Sequence, residues 1–249
     1  MPLSITLAVL FVASIWAGAQ NALAGGGSFI TLPSLMFTGL DARAANITST
    51  IALFPAQIAT GWTGRKFVSG AGNLSFGVLV AISLAGGALG AVLLLVTPPQ
   101  FFARLVPWLV LFATAVFAWG SFGRRDDAAR GLGRPGTAAA QFLISIYGGY
   151  FGGGIGFLML AALTAAGLVI RTAGATKNML ASAMNASAVA IFVFSSDVSW
   201  LQAAICGAGA IGGGVMGAVM LTRINEKALR IVVIAIGIVL TVGLFLRSP

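Results

Sequence analysis

Three consecutive glycines, Gly25-Gly26-Gly27, break an apolar run near the start of the chain, and a second triplet, Gly152-Gly153-Gly154, breaks another. Each is followed by a short hydrophobic piece and then by a polar turn. The first turn holds Asn46, Thr48, Ser49 and Thr50, the second Thr176, Lys177 and Asn178. The surroundings place both breaks in lipid: 59% of residues are hydrophobic and 8% charged, against about 25% charged in a soluble domain. A bilayer core cannot hydrogen-bond backbone that leaves a helix, so such backbone must be covered by protein or line a wet cavity. Paired, glycine-interrupted short segments at matching positions in two halves point to a transporter's substrate site.

The same composition excludes several classes. A net charge of +9 is compatible with nucleic-acid binding, but the cations sit singly between apolar runs rather than along one face, so no nucleic-acid partner is expected. In a membrane chain this excess is an orientation signal. Cys206 is the only cysteine and histidine is absent, which leaves no disulfide framework and no metal-ligand spacing. There is no P-loop, zinc-protease motif or Ser/His/Asp set, and no segment carries a carboxylate at its centre. A non-enzymatic, cofactor-free, gradient-driven protein is expected. The N-terminal run ends in Ala22-Leu23-Ala24 like a signal peptide, but it lacks a basic start and has a counterpart before the second triplet, so it reads as part of the fold.

Ten apolar segments follow one another in two sets of five: about 3–24, 28–40, 44–63, 74–96 and 101–122, then 138–150, 156–170, 173–194, 200–221 and 228–246. Shifting by 128 residues carries Gly25-Gly26 onto Gly153-Gly154, Phe29 onto Phe157, Gly39-Leu40 onto Gly167-Leu168, Thr48 onto Thr176 and Gln57 onto Asn185. Loop charges decide the relation between the sets. With an odd number of crossings per set, eleven Lys and Arg fall on one side and three on the other; with an even number the split is seven and seven. The bias favours the odd count, which makes the sets inverted. The expected fold is therefore all-α and polytopic, with two inverted-topology repeats of about five helical segments and short broken or re-entrant helices. The repeats are expected at 1–122 and 138–249, joined by a cytoplasmic connector at 123–137, with both termini periplasmic.

The candidate substrate-binding residues are Gly25, Gly26, Gly27, Asn46, Thr48, Ser49 and Gln57 in the first set, and Gly152, Gly153, Gly154, Thr176, Lys177, Asn178 and Asn185 in the second. Glycines free the backbone, and a helix beginning just after them aims its unbonded N–H groups at the break, which suits an anion. Gly86, Gly90, Gly213 and Gly217 read instead as helix-packing contacts. Gln57 and Asn185 fall near mid-membrane by the helical rise, partnered either by a neighbouring helix or by substrate. Lys177 either faces the anion or snorkels to a headgroup; Arg43 reads as its nearest analogue in the first set.

At these residues the chain resembles the TauE/SafE sulfite exporter family of small-anion transporters. The resemblance rests on the early GGG with its Pro33-containing segment, the ANITST turn and the second-half GGGIGF…GATKNML pattern, and it covers nearly the whole chain. It implies a bacterial inner-membrane protein that moves sulfite, an organosulfonate or a related oxyanion, commonly outward. Family members often carry Gly-Thr-Ser at the third-segment turn, where this chain has Ile47-Thr48-Ser49 and Ala175-Thr176-Lys177. Cys206 lies away from the glycine breaks, which argues against the cysteine-lined thiosulfate branch. A passive anion channel, or uptake of another small anion such as a carboxylate, stands as the alternative. The expected partners are the anion, the bilayer and, as a further candidate, a second copy of the chain.

Overall fold

The computed structural model describes residues 3–23, 26–122, 132–220 and 226–247. Gly25, the connector arginines Arg124, Arg125 and Arg130, and Arg223 lie outside them. Among the described residues there are ten α-helices and one 3₁₀ turn at Arg65–Phe67. The first five are α1 (Leu3–Leu23), α2 (Ser28–Phe37), α3 (Ala42–Thr63), α4 (Phe76–Val96) and α5 (Pro99–Phe122). The second five are α6 (Arg134–Tyr150), α7 (Ile155–Ala165), α8 (Ile170–Phe192), α9 (Trp200–Met220) and α10 (Glu226–Arg247). The fold is that of an all-α polytopic membrane protein. Helix α6 starts at Arg134, inside the stretch read as connector, because Pro135 takes the first turn, where its missing N–H is not needed.

Helices α2 and α7 have 10 and 11 residues, about half the length a spanning helix needs. Both fold back on the helix before them. A Cβ added at Gly27 would lie 2.6 Å from the Ala17 carbonyl oxygen, and Leu35 near the end of α2 shares a core with Leu10 of α1. In the second half the Leu132 N–H, just before α6, donates to the Ala165 carbonyl at the end of α7. Each hairpin thus enters and leaves on one face. The reversals rest on glycines in the left-handed region: Gly26 (φ 90°), Gly152 (φ 79°) and Gly154 (φ 75°). Each short helix then ends on another such residue, Gly39 or Gly167, 128 residues apart.

Helices 128 residues apart in sequence pack antiparallel, the arrangement that inverted halves require. Helices α3 and α8 pack with Gln57 against Asn185, Gly61 against Ser182 and Gly64 against Ala175, so their numbering runs in opposite directions. The α5 and α10 pair does the same, with Trp108 on Phe245 (ring centroids 5.0 Å apart) and Gly237 against Thr114. Antiparallel contact between equivalent helices requires the relating twofold axis to lie across them, in the membrane plane.

The tightest seams join the halves crosswise, α1 against α9 and α4 against α6. Both are glycine seams. A Cβ on Gly90 would collide with the Ile146 carbonyl, on Gly86 with Ser145, and on Gly213 with the Ile15 backbone. The packing reading holds for these three; the surroundings of Gly217 lie outside the described side chains. A buried polar bridge in the α4–α6 seam, Gln141 to Ser83 at 2.8 Å, adds to the contact. The outer surface is apolar: Val12, Trp16, Val96, Trp108 and Val239 are all exposed. By length and composition, Leu3–Asn21, Phe76–Val96 and Pro99–Val116 qualify as spans. Helices α3 and α8 do not, because they sit at the centre and carry the polar residues.

Candidate anion site on the pseudo-twofold axis

Two residues related by an internal twofold can touch only near the axis. Gln57 and Asn185 do: the Asn185 Nδ2 donates to Gln57 Oε1 at 2.5 Å, so the pair marks the axis and hence the midplane of the bundle. Of the two partnerships left open by the sequence, the observed one is with the neighbouring helix. Asn185 is 3% exposed, and its Oδ1 has no partner among the described residues. A buried polar atom without a partner carries a desolvation cost of about 1–3 kcal/mol, which water or a ligand would relieve.

Around this pair lies a cavity of about 50 Å³, room for a few waters on that measure. Its lining follows the repeat. Ser49 and Lys177, Thr50 and Asn178, Leu53 and Ala181, and Gln57 and Asn185 all contribute, each pair 128 residues apart. Gly26 and Gly152 enter from the two breaks, with Phe151 and Ile155 as apolar wall. Lys177 is the only charged residue in the lining. Among the described residues the one ion pair is Arg43–Asp197, so no carboxylate competes for the Lys177 ammonium there.

Seven of the predicted site residues therefore meet in one cavity: Gly26, Ser49, Gln57, Gly152, Lys177, Asn178 and Asn185. Six described ones do not line it. Thr48 accepts a hydrogen bond from the Ser199 N–H at 3.2 Å. Thr176 accepts one from the Ser69 N–H at 3.1 Å and donates to the Ser69 carbonyl at 3.3 Å. Both hydroxyls tie each central helix to the loop that follows the other. The Asn46 amide donates to the Tyr150 carbonyl at 3.1 Å, bracing the second break. Gly27, Gly153 and Gly154 face protein: a Cβ on them would meet Ala17, Phe151 and Ala113 respectively. Gly25 lies outside the described residues.

Arg43 is not the analogue of Lys177. Its guanidinium pairs with Asp197 at 2.8 Å and donates to the Thr97 and Leu95 carbonyls at 2.9 and 3.3 Å, at the end of the bundle. The residue at its place in the second half is Arg171, which lies over the Phe67 ring at 4.1 Å. The place of Lys177 is held by Ser49.

The polar lining residues that sequence reasoning left out of the site are Asn21, Ser28, Thr50 and Thr60. A signal was present. Ser49, Leu53, Gln57 and Thr60 recur at four, four and three residues, and Lys177, Ala181 and Asn185 at four and four, which is one face of a helix. Thr48 and Thr176 are turned about 100° from it.

A family model described as "Sulfite exporter TauE/SafE" matches residues 10–244. A probable membrane transporter protein (ORF9) of Sinorhizobium sp is 30% identical over 96% of this chain and 92% of its own. A probable membrane transporter protein of Haemophilus influenzae is 28% identical over 94% and 92%. The probable membrane transporter protein YfcA of Escherichia coli K12 is 27% identical over 97% and 90%. No solved structure matches.

Proposed function

Because the chain belongs to the TauE/SafE sulfite exporter family and is a membrane transporter of that type, we propose that it carries a small sulfur-containing anion, sulfite or an organosulfonate, outward across a bacterial inner membrane. The observation that supports this most is the Lys177 ammonium, which has no acidic partner among the described residues and is the only charge in a cavity lined by hydroxyls, amides, glycine backbone and a few apolar side chains. In a low-dielectric interior a half-buried cation without a counter-ion is costly, and an anionic substrate would supply one. One cation, rather than a cluster, also permits release. The interior-negative potential of a bacterium favours anion exit by about 2.3 kcal/mol per charge per 100 mV.

The orientation that matches export sets the Arg65–Lys66 face in the cytoplasm and both termini in the periplasm, following the excess of Lys and Arg on that side. Purified protein in proteoliposomes tests the reading. Saturable sulfite or methanesulfonate flux is expected, cut about tenfold or more by Lys177→Ala, since a charge-assisted hydrogen bond contributes roughly 1.5–3 kcal/mol, and left unchanged by Arg104→Gln on the exposed flank of α5. Equal effects of the two changes would remove Lys177 from the path.

A further inference from the structure

The residues lining the cavity reach to both sides of the Gln57–Asn185 pair, as two limbs of one path. Lys177 lies eight residues before Asn185 on α8, and Ser49 eight residues before Gln57 on α3, about 12 Å of helix in each case. The two helices are antiparallel, so the offsets point to opposite faces of the membrane. The Lys177 limb faces the side of the Arg65–Phe67 turn, and the Ser49 limb faces the side of Asp197.

The limbs are matched in position and unmatched in chemistry. The Ser49 hydroxyl shares a 2.5 Å hydrogen bond with that of Thr31, which is also within 3.3 Å of the Gly27 carbonyl. Thr50 donates to the Asn46 carbonyl at 2.9 Å. Both hydroxyls already have protein partners, and neither carries a charge. On the other limb Lys177 has three N–H donors and a full charge, with no acidic partner among the described residues.

We propose that the Ser49/Lys177 difference makes this carrier kinetically two-faced: the anion binds tightly when the cavity opens toward the Arg65–Lys66 side and weakly when it opens toward the Asp197 side. This rests on the reading of the cavity as an anion path. Lys177 captures the anion on one side, the amide pair on the axis passes it across, and the Ser49 limb, with no charge, lets it go. The asymmetry shapes the rate in each direction and leaves the equilibrium gradient untouched. A site of this kind suits scavenging a dilute anion from one compartment and discharging it into another where it is more concentrated.

Right-side-out and inside-out membrane vesicles from cells making the full chain, with the membrane potential clamped at zero, test the proposal using radiolabelled sulfite. The expected half-saturation is about tenfold lower from the Arg65–Lys66 face, the worth of one charge-assisted contact. In Lys177→Ser the two half-saturations become equal through loss of the lower one. In Ser49→Lys/Lys177→Ser the lower one moves to the opposite face. Equal half-saturations in the unmodified protein, with saturable flux retained, overturn the two-faced site and leave the anion path standing. Absence of saturable sulfite flux from either face overturns both.

Discussion

At the scale of single residues, neighbouring side chains in the two polar turns do unlike work. Thr176 and Lys177 are adjacent, but one closes a loop and the other lines a cavity. Thr176→Val and Thr48→Val each leave a loop N–H without its acceptor, so each is expected to cost about 1–3 kcal/mol of stability. Thermal unfolding in detergent would register that loss, while anion affinity, read by titration on the folded fraction, stays as it was. Arg43 gives a second case. It and Asp197 are only 17% and 22% exposed, so Asp197→Asn strands a half-buried guanidinium and should lower the melting temperature visibly. Lys177→Gln should lower it little or raise it, because it removes an uncompensated charge rather than creating one. A large destabilisation by Lys177→Gln would mean that Lys177 has a structural partner and is not held ready for substrate.

At the scale of elements, the glycines divide into three kinds: hinges, seams and open positions. Gly26, Gly152 and Gly154 have the positive φ of a reversal, and the sequence marked them by their place before short segments. Gly213 and its neighbour Gly212 show the other two kinds. A Cβ at Gly213 would strike the Ile15 backbone, whereas one at Gly212 meets nothing. Gly213→Ala should therefore cost several kcal/mol or prevent assembly, while Gly212→Ala should be neutral or stabilise by up to about 1 kcal/mol through helix propensity. Paired melts of the two variants decide it; equal effects would mean that the α1–α9 seam is not where the structure puts it. The periodic signal was equally available for the site: counting back in fours from Gln57 and Asn185 reaches Ser49 and Lys177 and skips Thr48 and Thr176. What could not be read from the chain was which hydroxyl finds a partner in a loop 107 or 151 residues away, since that depends on how the inverted halves interlock.

At the scale of the whole molecule, the inversion was legible because it leaves two independent traces. One is the near-constant 128-residue shift and the other the lopsided loop charges; the antiparallel α3–α8 and α5–α10 contacts agree with both. Whether the short segments cross or return was not legible, since both give the same loop parity. The hydrogen bond from Leu132 to Ala165 shows the return in the second half. Sidedness is checked with single cysteines at Lys66 and Phe194 in a Cys206→Ser background: an impermeant maleimide applied to intact spheroplasts should label the Phe194 site and spare the Lys66 site.

The central claim is that a cavity on the axis between two inverted halves takes an anion at Lys177. Its most direct test is the melting temperature of the purified protein as sulfite is titrated in. Ligand that binds only the native state stabilises it by mass action, by about 2.7 kcal/mol at a hundred times its dissociation constant. The unmodified protein and Arg104→Gln should show the same saturating rise, and Lys177→Gln none. An equal rise in Lys177→Gln would contradict the account.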